Sequence, residues 1–173
     1  MQFFPFDVQA EKKGDSIVRL FPLRSHSNKC DQFYSLWAEC LMEKQPSNSR
    51  QELILQAKDM LQESIRGMQT EYFLFESNDA PVGFAIADLE EECFPDEDLP
   101  EVCLHVLAFF IKPEYRGEHL GQEALKLLRQ WGRDKKAALI EVEADSEGAK
   151  LFLQNQGLEL VGGTVRQLYR GFI

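Results

Sequence analysis

The chain has 173 residues and a mass of 19.9 kDa, which fits one domain that is large enough to bury a core without disulfides or metals. Its hydrophobic content of 44% and charged content of 28% are typical of a globular protein, and no apolar run approaches the roughly 20 residues that a membrane helix needs, so we predict a cytoplasmic protein. The formal net charge of −10 disfavours nucleic acid and anionic membranes as partners.

The acidity is concentrated in one segment of the chain. No Lys or Arg lies between Gly67 and Ile111, whereas eleven carboxylates do. Such a segment can attract a cationic substrate, although an acidic loop kept for solubility is the simpler interpretation. The eleven residues are Glu71, Glu76, Asp79, Asp88, Glu90, Glu91, Glu92, Asp96, Glu97, Asp98 and Glu101.

The four cysteines show neither a metal-binding pattern nor a disulfide framework. Cys30, Cys40, Cys93 and Cys103 form two pairs in sequence without a CxxC motif, and no histidine lies at a typical metal-ligand spacing. We therefore predict reduced thiols that mostly serve packing, and no bound metal.

The first half of the chain predicts an N-terminal arm followed by a strand, two helices and a hairpin. The arm, residues 1–15, packs either locally or on a partner subunit, which leaves a homodimer open. Hydrophobic periodicity and capping residues define the elements that follow. These are a strand at Ser16–Leu23, a helix capped by Asn28 or Asp31 and ending near Lys44, a helix capped by Ser49 and ending near Met68, and strands at Glu71–Phe75 and Pro81–Leu89.

The second half begins with an acidic excursion and then alternates strands with helices. The excursion covers Glu90–Glu101, and the strand after it is apolar enough to predict full burial. With the first half, these elements predict a single α/β domain with a mixed sheet over residues 1–173. They are a strand at Val102–Ile111, a helix ending at Gly132–Lys136, a strand at Leu139–Ala144, a helix capped by Asp145 or Ser146 and ending near Gln156 before Gly157, and two strands within residues 158–172.

The stretch from Phe109 to Leu125 changes character twice. A β-branched and aromatic run ends at Pro113, a short polar loop follows, and a helical pattern begins near Gly121. Because N–H groups of the loop and first helical turn lack intrahelical partners, they form a site for an anion such as phosphate, and Gly117 and Gly121 allow its close approach. The alternative is a plain strand-to-helix connection with two turn glycines.

This loop is similar to a known cofactor loop. The run Pro113–Gly121 resembles the acetyl-CoA pyrophosphate loop of the GNAT N-acetyltransferases, whose pattern is Arg/Gln-x-x-Gly-x-Gly/Ala. Arg116 stands at the first position of that pattern and Gly121 at the last, whereas His119 stands where glycine is usual. The order of predicted elements extends the resemblance to about residues 16–172.

The resemblance implies a fold, an activity and a cofactor. It implies an α/β GNAT fold, in which a mixed, mostly antiparallel twisted sheet is flanked by helices and splayed at the acetyl-CoA cleft. It also implies an acyltransferase that uses acetyl-CoA as co-substrate, with backbone amides of the loop on the pyrophosphate and the preceding strand end along the pantetheine arm. The implied cofactor-binding residues are Phe109, Phe110, Ile111, Arg116, Gly117, Glu118, His119, Leu120 and Gly121.

The acid and base that are usual in this family are missing from the chain. The late-helix tyrosine position is Leu153, and the glutamate position on the cofactor strand is Leu107. His105 shares the strand face of Leu107 and imidazole exchanges protons near neutral pH, so His105 is a candidate base, with a structural histidine as the alternative. Tyr169 on the last strand and Tyr115 beside the loop are candidate acids, with a packing tyrosine as the alternative for both.

The acidic segment and the resemblance together predict the acceptor class. Asp88, Glu90 and Glu101 are candidate carboxylates for binding the substrate amine. We predict direct acetyl transfer to a primary amine of a small cationic acceptor. The layout is similar to that of aminoglycoside 6'-N-acetyltransferases, although their substrate motifs are absent.

Two other functions are compatible with parts of the sequence. A GNAT-fold sensor or scaffold that binds acyl-CoA without turnover would explain the missing late-helix tyrosine. An unrelated nucleotide-binding α/β protein is disfavoured, because the loop lacks a Walker Gly-Lys-Ser/Thr and the elements do not repeat as βαβ units.

Overall fold

The computed structural model describes residues 17–44, 46, 48–67, 70–92, 101–163 and 167–173. The predicted N-terminal arm and most of the acidic excursion lie outside the described residues. Among the helices that are described, none combines the length and the apolar character of a membrane span.

The described residues form seven strands and four α-helices, with short 3₁₀ turns before two of the helices. Predicted strands and helices are present in the predicted order. The strands are β1 (Val18–Pro22), β2 (Thr70–Ser77), β3 (Ala80–Glu92), β4 (Glu101–Ile111), β5 (Leu139–Ala144), β6 (Glu159–Gly162) and β7 (Gln167–Phe172), and the helices are α1 (Cys30–Lys44), α2 (Arg50–Gly67), α3 (Leu120–Asp134) and α4 (Glu147–Asn155).

The strands form one sheet in the order β1-β2-β3-β4-β5-β7-β6. β1 pairs with β2, β5 with β7 and β6 with β7 in antiparallel fashion, whereas β4 and β5 are parallel. A mixed, mostly antiparallel sheet with helices confirms the predicted fold class. The contacts of the chain group into two compact units, and the prediction of a single domain stays a prediction.

The first unit takes the described residues up to Ile86 together with Phe109–Leu127, and its core is aromatic. The Phe33 ring of α1 contacts the Phe84 ring of β3 edge-to-face, with 5.3 Å between ring centroids. Phe84 in turn lies 5.5 Å from the ring of Phe110. The buried aromatic cluster therefore supports the end of β4, from which the candidate loop leaves.

The second unit takes Ala87–Ala108 and Leu128–Ile173 of the chain. β5 is its central strand, and Ile140 and Val142 are buried there. Ser146 caps α4 by accepting a hydrogen bond from the Ala149 N–H at 3.2 Å, and Gly157 ends the helix region with a φ of 76°. Both features confirm the sequence prediction for this helix.

Two of the predicted boundaries are corrected by the structure. α1 begins at Cys30 after a 3₁₀ turn at Ser27–Lys29, so neither Asn28 nor Asp31 is its N-cap residue. β3 continues to Glu92 rather than ending at Leu89, which shortens the acidic excursion. By contrast, the predicted caps of the other helices hold, as in α2, where Ser49 accepts from the Glu52 N–H at 3.2 Å.

β4 was predicted to be fully buried, and this prediction is wrong above all at Leu107, Ala108 and Phe109, whereas Phe110 and Ile111 at its end are buried. Leu107 is 47% exposed, and Ala108 and Phe109 are half-buried. The reason is that β5 pairs with β4 only from Cys103 to Val106, although β4 continues to Ile111 and β5 continues past its last paired residue. Such an end of pairing between two parallel strands is what the predicted splay requires.

Candidate functional site

The candidate loop in the first unit leaves β4 through a 3₁₀ turn at Pro113–Tyr115. Arg116 is extended, with φ −75° and ψ 144°, and Gly117 follows with a φ of 84°. A Cβ atom at Gly117 would meet nothing within 4 Å, so the glycine is required by its backbone conformation rather than by space.

His119 adopts the left-handed backbone conformation at the start of α3. Its φ is 62°, a value that histidine adopts more readily than most residues with a side chain. Its carbonyl accepts the N–H of Glu123 at 3.1 Å, which makes His119 the residue before the first turn of α3. The N–H groups of Leu120 and Gly121 therefore lie in the first turn, where helices present donors to anions.

The side chain of Arg116 holds the loop to β4 and α1. Its Nε donates to the Ile111 carbonyl at 2.9 Å, and its two terminal nitrogens donate to the two carboxylate oxygens of Glu43 at 2.8 Å each. These hydrogen bonds lower the pKa of Glu43 and raise that of Arg116. Because the folded pKa of Glu43 is lowered, the contribution of the pair to stability is present near neutral pH and is lost as the pH falls through that value.

A second basic residue strengthens the same attachment. The Lys112 ammonium lies 2.7 Å from Glu114 and 3.8 Å from Glu39 of α1. The hydrogen bond to Glu114 raises the pKa of Lys112, and the Lys112 N–H donates to the Val82 carbonyl at 2.9 Å. The loop is thus tied to α1 by two acidic residues of that helix, Glu39 and Glu43, which sequence reasoning missed because they are remote in sequence.

Gly83 of β3 is another residue that the sequence analysis missed. A Cβ atom there would overlap the Phe110 carbonyl oxygen and lie 2.8 Å from Cδ1 of Ile111. Only glycine therefore allows β3 to approach the end of β4 so closely.

We expect Gly83→Ala to lower the free energy of unfolding by roughly 1–3 kcal/mol, because the added methyl group meets a backbone carbonyl that cannot move aside without shifting β4. Urea denaturation measures this change. The control is Gly162→Ala on β6, where a Cβ atom meets nothing within 4 Å. Equal stability of the two variants would contradict the close approach.

The second unit contains a polar cluster on β4, β5 and β7. Nδ1 of His105 lies 3.1 Å from one carboxylate oxygen of Glu141, whose side chain is 3% exposed. Nε of Arg170 donates to the other oxygen of Glu141 at 2.6 Å. A buried carboxylate thus joins an imidazole to a guanidinium.

The predicted acceptor-binding carboxylates also belong to the second unit. Oε2 of Glu90 lies 3.9 Å from Nε2 of His105, and the Glu90 side chain is 63% exposed. One carboxylate oxygen of Asp88 is buried without a hydrogen-bond partner among the described residues. Glu101 begins β4, but its side chain lies outside the described part of the structure.

Cys103, His105 and Glu141 bring three metal-ligating side chains together, with donor atoms within 4.8 Å of one another. The sequence analysis missed this group because Glu141 comes from a different strand. However, Arg170 already holds Glu141, and the positive guanidinium makes the position unfavourable for a cation.

The other catalytic candidates are placed less favourably than His105 for proton transfer to or from a substrate. Tyr169 is 1% exposed, and its hydroxyl donates to Gln167 at 3.2 Å, so the side chain is packed in the core rather than open to a substrate. Leu153, at the tyrosine position of the family pattern, is buried, and Leu107 is exposed. Tyr115 lies half-buried beside the loop, with the Lys112 ammonium 5.8 Å from its ring centroid.

The predicted site residues fall into two groups. The nine predicted cofactor-binding residues all belong to the first unit, whereas His105, Tyr169 and the three carboxylates belong to the second. In the first unit, the structure brings the loop together with the end of β4. In the second unit, it brings His105 together with Glu90.

Comparison with known proteins gives one family and one recurring fold. A model described as acetyltransferase (GNAT) family matches residues 30–158, which is more than half of the chain. Comparison with curated proteins finds no sequence match.

Several solved structures share the fold at low sequence identity. A PaiA N-acetyltransferase from Thermoplasma acidophilum in complex with coenzyme A has a TM-score of 0.64 at 12% identity, covering 90% of this chain and 99% of its own. AAC(6')-Iy with a bisubstrate analogue, CoA-S-monomethyl-acetylneamine, has a TM-score of 0.62 at 12% identity, covering 86% and 95%. An acetyltransferase from Salmonella typhimurium that modifies the N-terminal serine of ribosomal protein L7/L12 has a TM-score of 0.62 at 13% identity, covering 90% and 95%.

Proposed function

The chain belongs to the acetyltransferase (GNAT) family, and from this premise we propose that it transfers an acetyl group from acetyl-CoA to the primary amine of a small cationic acceptor. Acyl transfer with acetyl-CoA as co-substrate follows from the family. The acceptor class and the residue roles are our proposal.

The pyrophosphate of acetyl-CoA is proposed to bind the loop Arg116–Gly121 and the first turn of α3. The support is the backbone: Gly117 and His119 have positive φ values, and the first-turn N–H groups of a 15-residue helix follow directly. The remaining loop residues, Glu118 and Leu120, contribute their backbone N–H groups in this proposal. The Arg116 side chain then acts mainly by holding the loop in place, because it is bound to Glu43 and Ile111.

The pantetheine arm is proposed to lie along the end of β4, at Phe109, Phe110 and Ile111. An extended ligand can pair with an exposed strand edge through main-chain hydrogen bonds. The support is that β4 continues beyond Val106, the last residue that β5 pairs with.

Direct transfer requires a neutral amine, a base that takes one proton from its nitrogen and a source of one proton for the departing thiolate. The amine nitrogen bonds to the acetyl carbon, the bond from that carbon to sulfur breaks, and its electron pair stays on the sulfur. The amine nitrogen loses one proton and the thiolate gains one, so that the products are an amide and coenzyme A. We propose His105 as the base that takes the amine proton, directly or through water.

The single observation that carries the choice of a cationic acceptor is the Glu90 carboxylate beside His105. Glu90 lies 3.9 Å from the imidazole, and Asp88, two residues earlier on β3, has a buried oxygen without a described partner. A buried carboxylate oxygen is costly unless a hydrogen-bond donor reaches it. An ammonium group of the amine substrate would supply that donor. Glu101 remains a predicted third carboxylate.

Replacing Glu90 by Gln should raise KM for a cationic amine by roughly 3- to 5-fold, because an exposed ion pair contributes up to about 1 kcal/mol. The KM for a neutral amine of similar size should not change, since no ion pair is lost. Initial rates at saturating acetyl-CoA measure both values. Glu91→Gln, which removes the adjacent exposed charge, is the control, and an equal effect of the two variants would argue against binding by Glu90.

The acidic segment supports a small amine as acceptor rather than nucleic acid or an anionic membrane, since both would be repelled by its carboxylates. A cytoplasmic location and a homodimer remain predictions from the sequence.

A second candidate function is acyl-CoA binding without turnover. The specific observation in its favour is that Leu153, at the usual tyrosine position, is a core residue, and that Tyr169 is buried. Calorimetry first separates both functions from nucleotide binding. We expect acetyl-CoA to bind and ATP not to bind, and ATP binding without acetyl-CoA binding would contradict both.

A further inference from the structure

Three polar residues stand directly opposite one another on three neighbouring strands of the second unit. His105 of β4 is in register with Glu141 of β5, and Glu141 is in register with Arg170 of β7. Directly opposite residues in a sheet have their side chains within contact distance when they share a face. The contacts between these three side chains follow from that register.

Glu141 divides its two carboxylate oxygens between its two neighbours. Oε1 accepts from Arg170, at 2.6 Å from Nε and also from a terminal nitrogen, while Oε2 lies 3.1 Å from Nδ1 of His105. A carboxylate held by a guanidinium can only accept hydrogen bonds, so Nδ1 must carry the proton in this contact. The neutral imidazole then has its lone pair on Nε2.

We infer that Glu141 is a positioning residue, which fixes His105 as the Nδ1–H tautomer so that Nε2 is the basic atom. This inference rests on the proposed role of His105 as the base. Arg170 supports this role of Glu141 from the opposite side, because its guanidinium orients the Glu141 carboxylate and compensates the buried negative charge.

The surroundings of His105 are compatible with this role. Glu90 of β3 lies 3.9 Å from Nε2, and Cys103 precedes His105 by two residues on the same strand. Glu141 faces the guanidinium of Arg170. Nε2 of His105 lies on the side of the exposed Glu90 side chain. The imidazole thus lies between the carboxylates of Glu90 and Glu141.

The tautomer can be read directly in the unmodified protein. The chain has 3 histidines, so the nitrogen resonances of ¹⁵N-histidine-labelled protein are few, and His105→Gln identifies one set. At a pH where imidazoles are neutral, long-range ¹H–¹⁵N correlation should show Nδ1 of His105 as the protonated nitrogen. A protonated Nε2 would overturn the inference, whether or not any variant folds.

Glu141→Gln adds a second test. Arg170 is a donor only and should claim the amide oxygen, which leaves the NH₂ group facing Nδ1 of His105. We expect the tautomer to invert to Nε2–H and kcat to fall about 10²-fold, at the lower end of what a general base contributes, with KM for acetyl-CoA unchanged. The control is Glu147→Gln, which removes an exposed carboxylate of α4 that contacts Lys150 at 2.6 Å.

The two proposals can fail separately. An unchanged tautomer in Glu141→Gln would overturn the positioning role, even if activity fell through loss of stability. If His105→Gln kept full activity, the base assignment would be wrong, while the measured tautomer would still report on the contact with Glu141.

Discussion

Replacing His105 by Gln is expected to lower kcat by about 10²- to 10⁴-fold, the range that a positioned general base contributes to proton transfer. Glutamine keeps a hydrogen-bonding side chain on β4 but cannot take a proton. KM for acetyl-CoA should stay within about 2-fold, because a base acts on the amine in the transition state rather than on cofactor binding. Steady-state rates with a cationic amine measure both quantities.

The fall in kcat that we expect for His105→Gln needs a control variant that removes an imidazole elsewhere in the chain. His26 is half-buried, and its Nδ1 lies 2.9 Å from the Pro22 carbonyl, so His26→Gln disturbs a comparable hydrogen bond in the first unit. We expect this variant to keep its kcat. If His105→Gln kept its kcat as well, water or another residue would be the base.

Replacing Gly121 by Leu is expected to raise the dissociation constant of acetyl-CoA about 10²-fold, which corresponds to roughly 2.8 kcal/mol. Gly121 is the second residue of α3, and a branched side chain there prevents a phosphate from approaching the first-turn N–H groups. The stability of the fold should not fall, because leucine is more favourable than glycine in a helix by roughly 0.5–1 kcal/mol. Calorimetry with acetyl-CoA measures the change.

The chain offers a closely matched control for this variant. Gly148 is also the second residue of a helix, α4, and a Cβ atom there meets nothing within 4 Å. Gly148→Leu should gain similar helix propensity and keep full affinity for acetyl-CoA. Unchanged affinity in Gly121→Leu would show that the loop is not the pyrophosphate site.

The sequence predicts the elements well where the information is local. Ser49 and Ser146 cap α2 and α4 as their positions indicate, and the hairpin turns at Asn78 and Asp79, whose φ values of 50° and 62° suit these residue types. The bounds of β5 also match, because Leu139–Ala144 alternates clearly. Caps, turns and alternation depend on neighbouring residues and are therefore readable without a structure.

The interactions that shape the site are not local, and the sequence does not reveal them. Glu43 binds Arg116, Gly83 lies against Phe110, and Glu141 binds His105, each from a different strand or helix. No motif spacing connects these pairs. They depend on which elements become neighbours in the sheet, which only the fold determines.

The burial of β4 is a related case. Composition predicts a buried strand, yet Leu107 is 47% exposed because the pairing with β5 stops at Val106. The apolar side chain of Leu107 is therefore left in contact with solvent. Contact of the strand with the pantetheine arm, as proposed, would cover part of this apolar surface.

The most direct test of the proposed function is a thiol-release assay on the purified full chain, with acetyl-CoA and a panel of aminoglycosides, polyamines, lysine and matched neutral amines. We predict saturable release of coenzyme A with at least one cationic amine, accompanied by an equal amount of acetylated product in mass spectrometry, and slower release with the neutral amines. Tight binding of acetyl-CoA without release above the hydrolysis rate for any amine would contradict enzymatic transfer and favour a protein that only binds the cofactor.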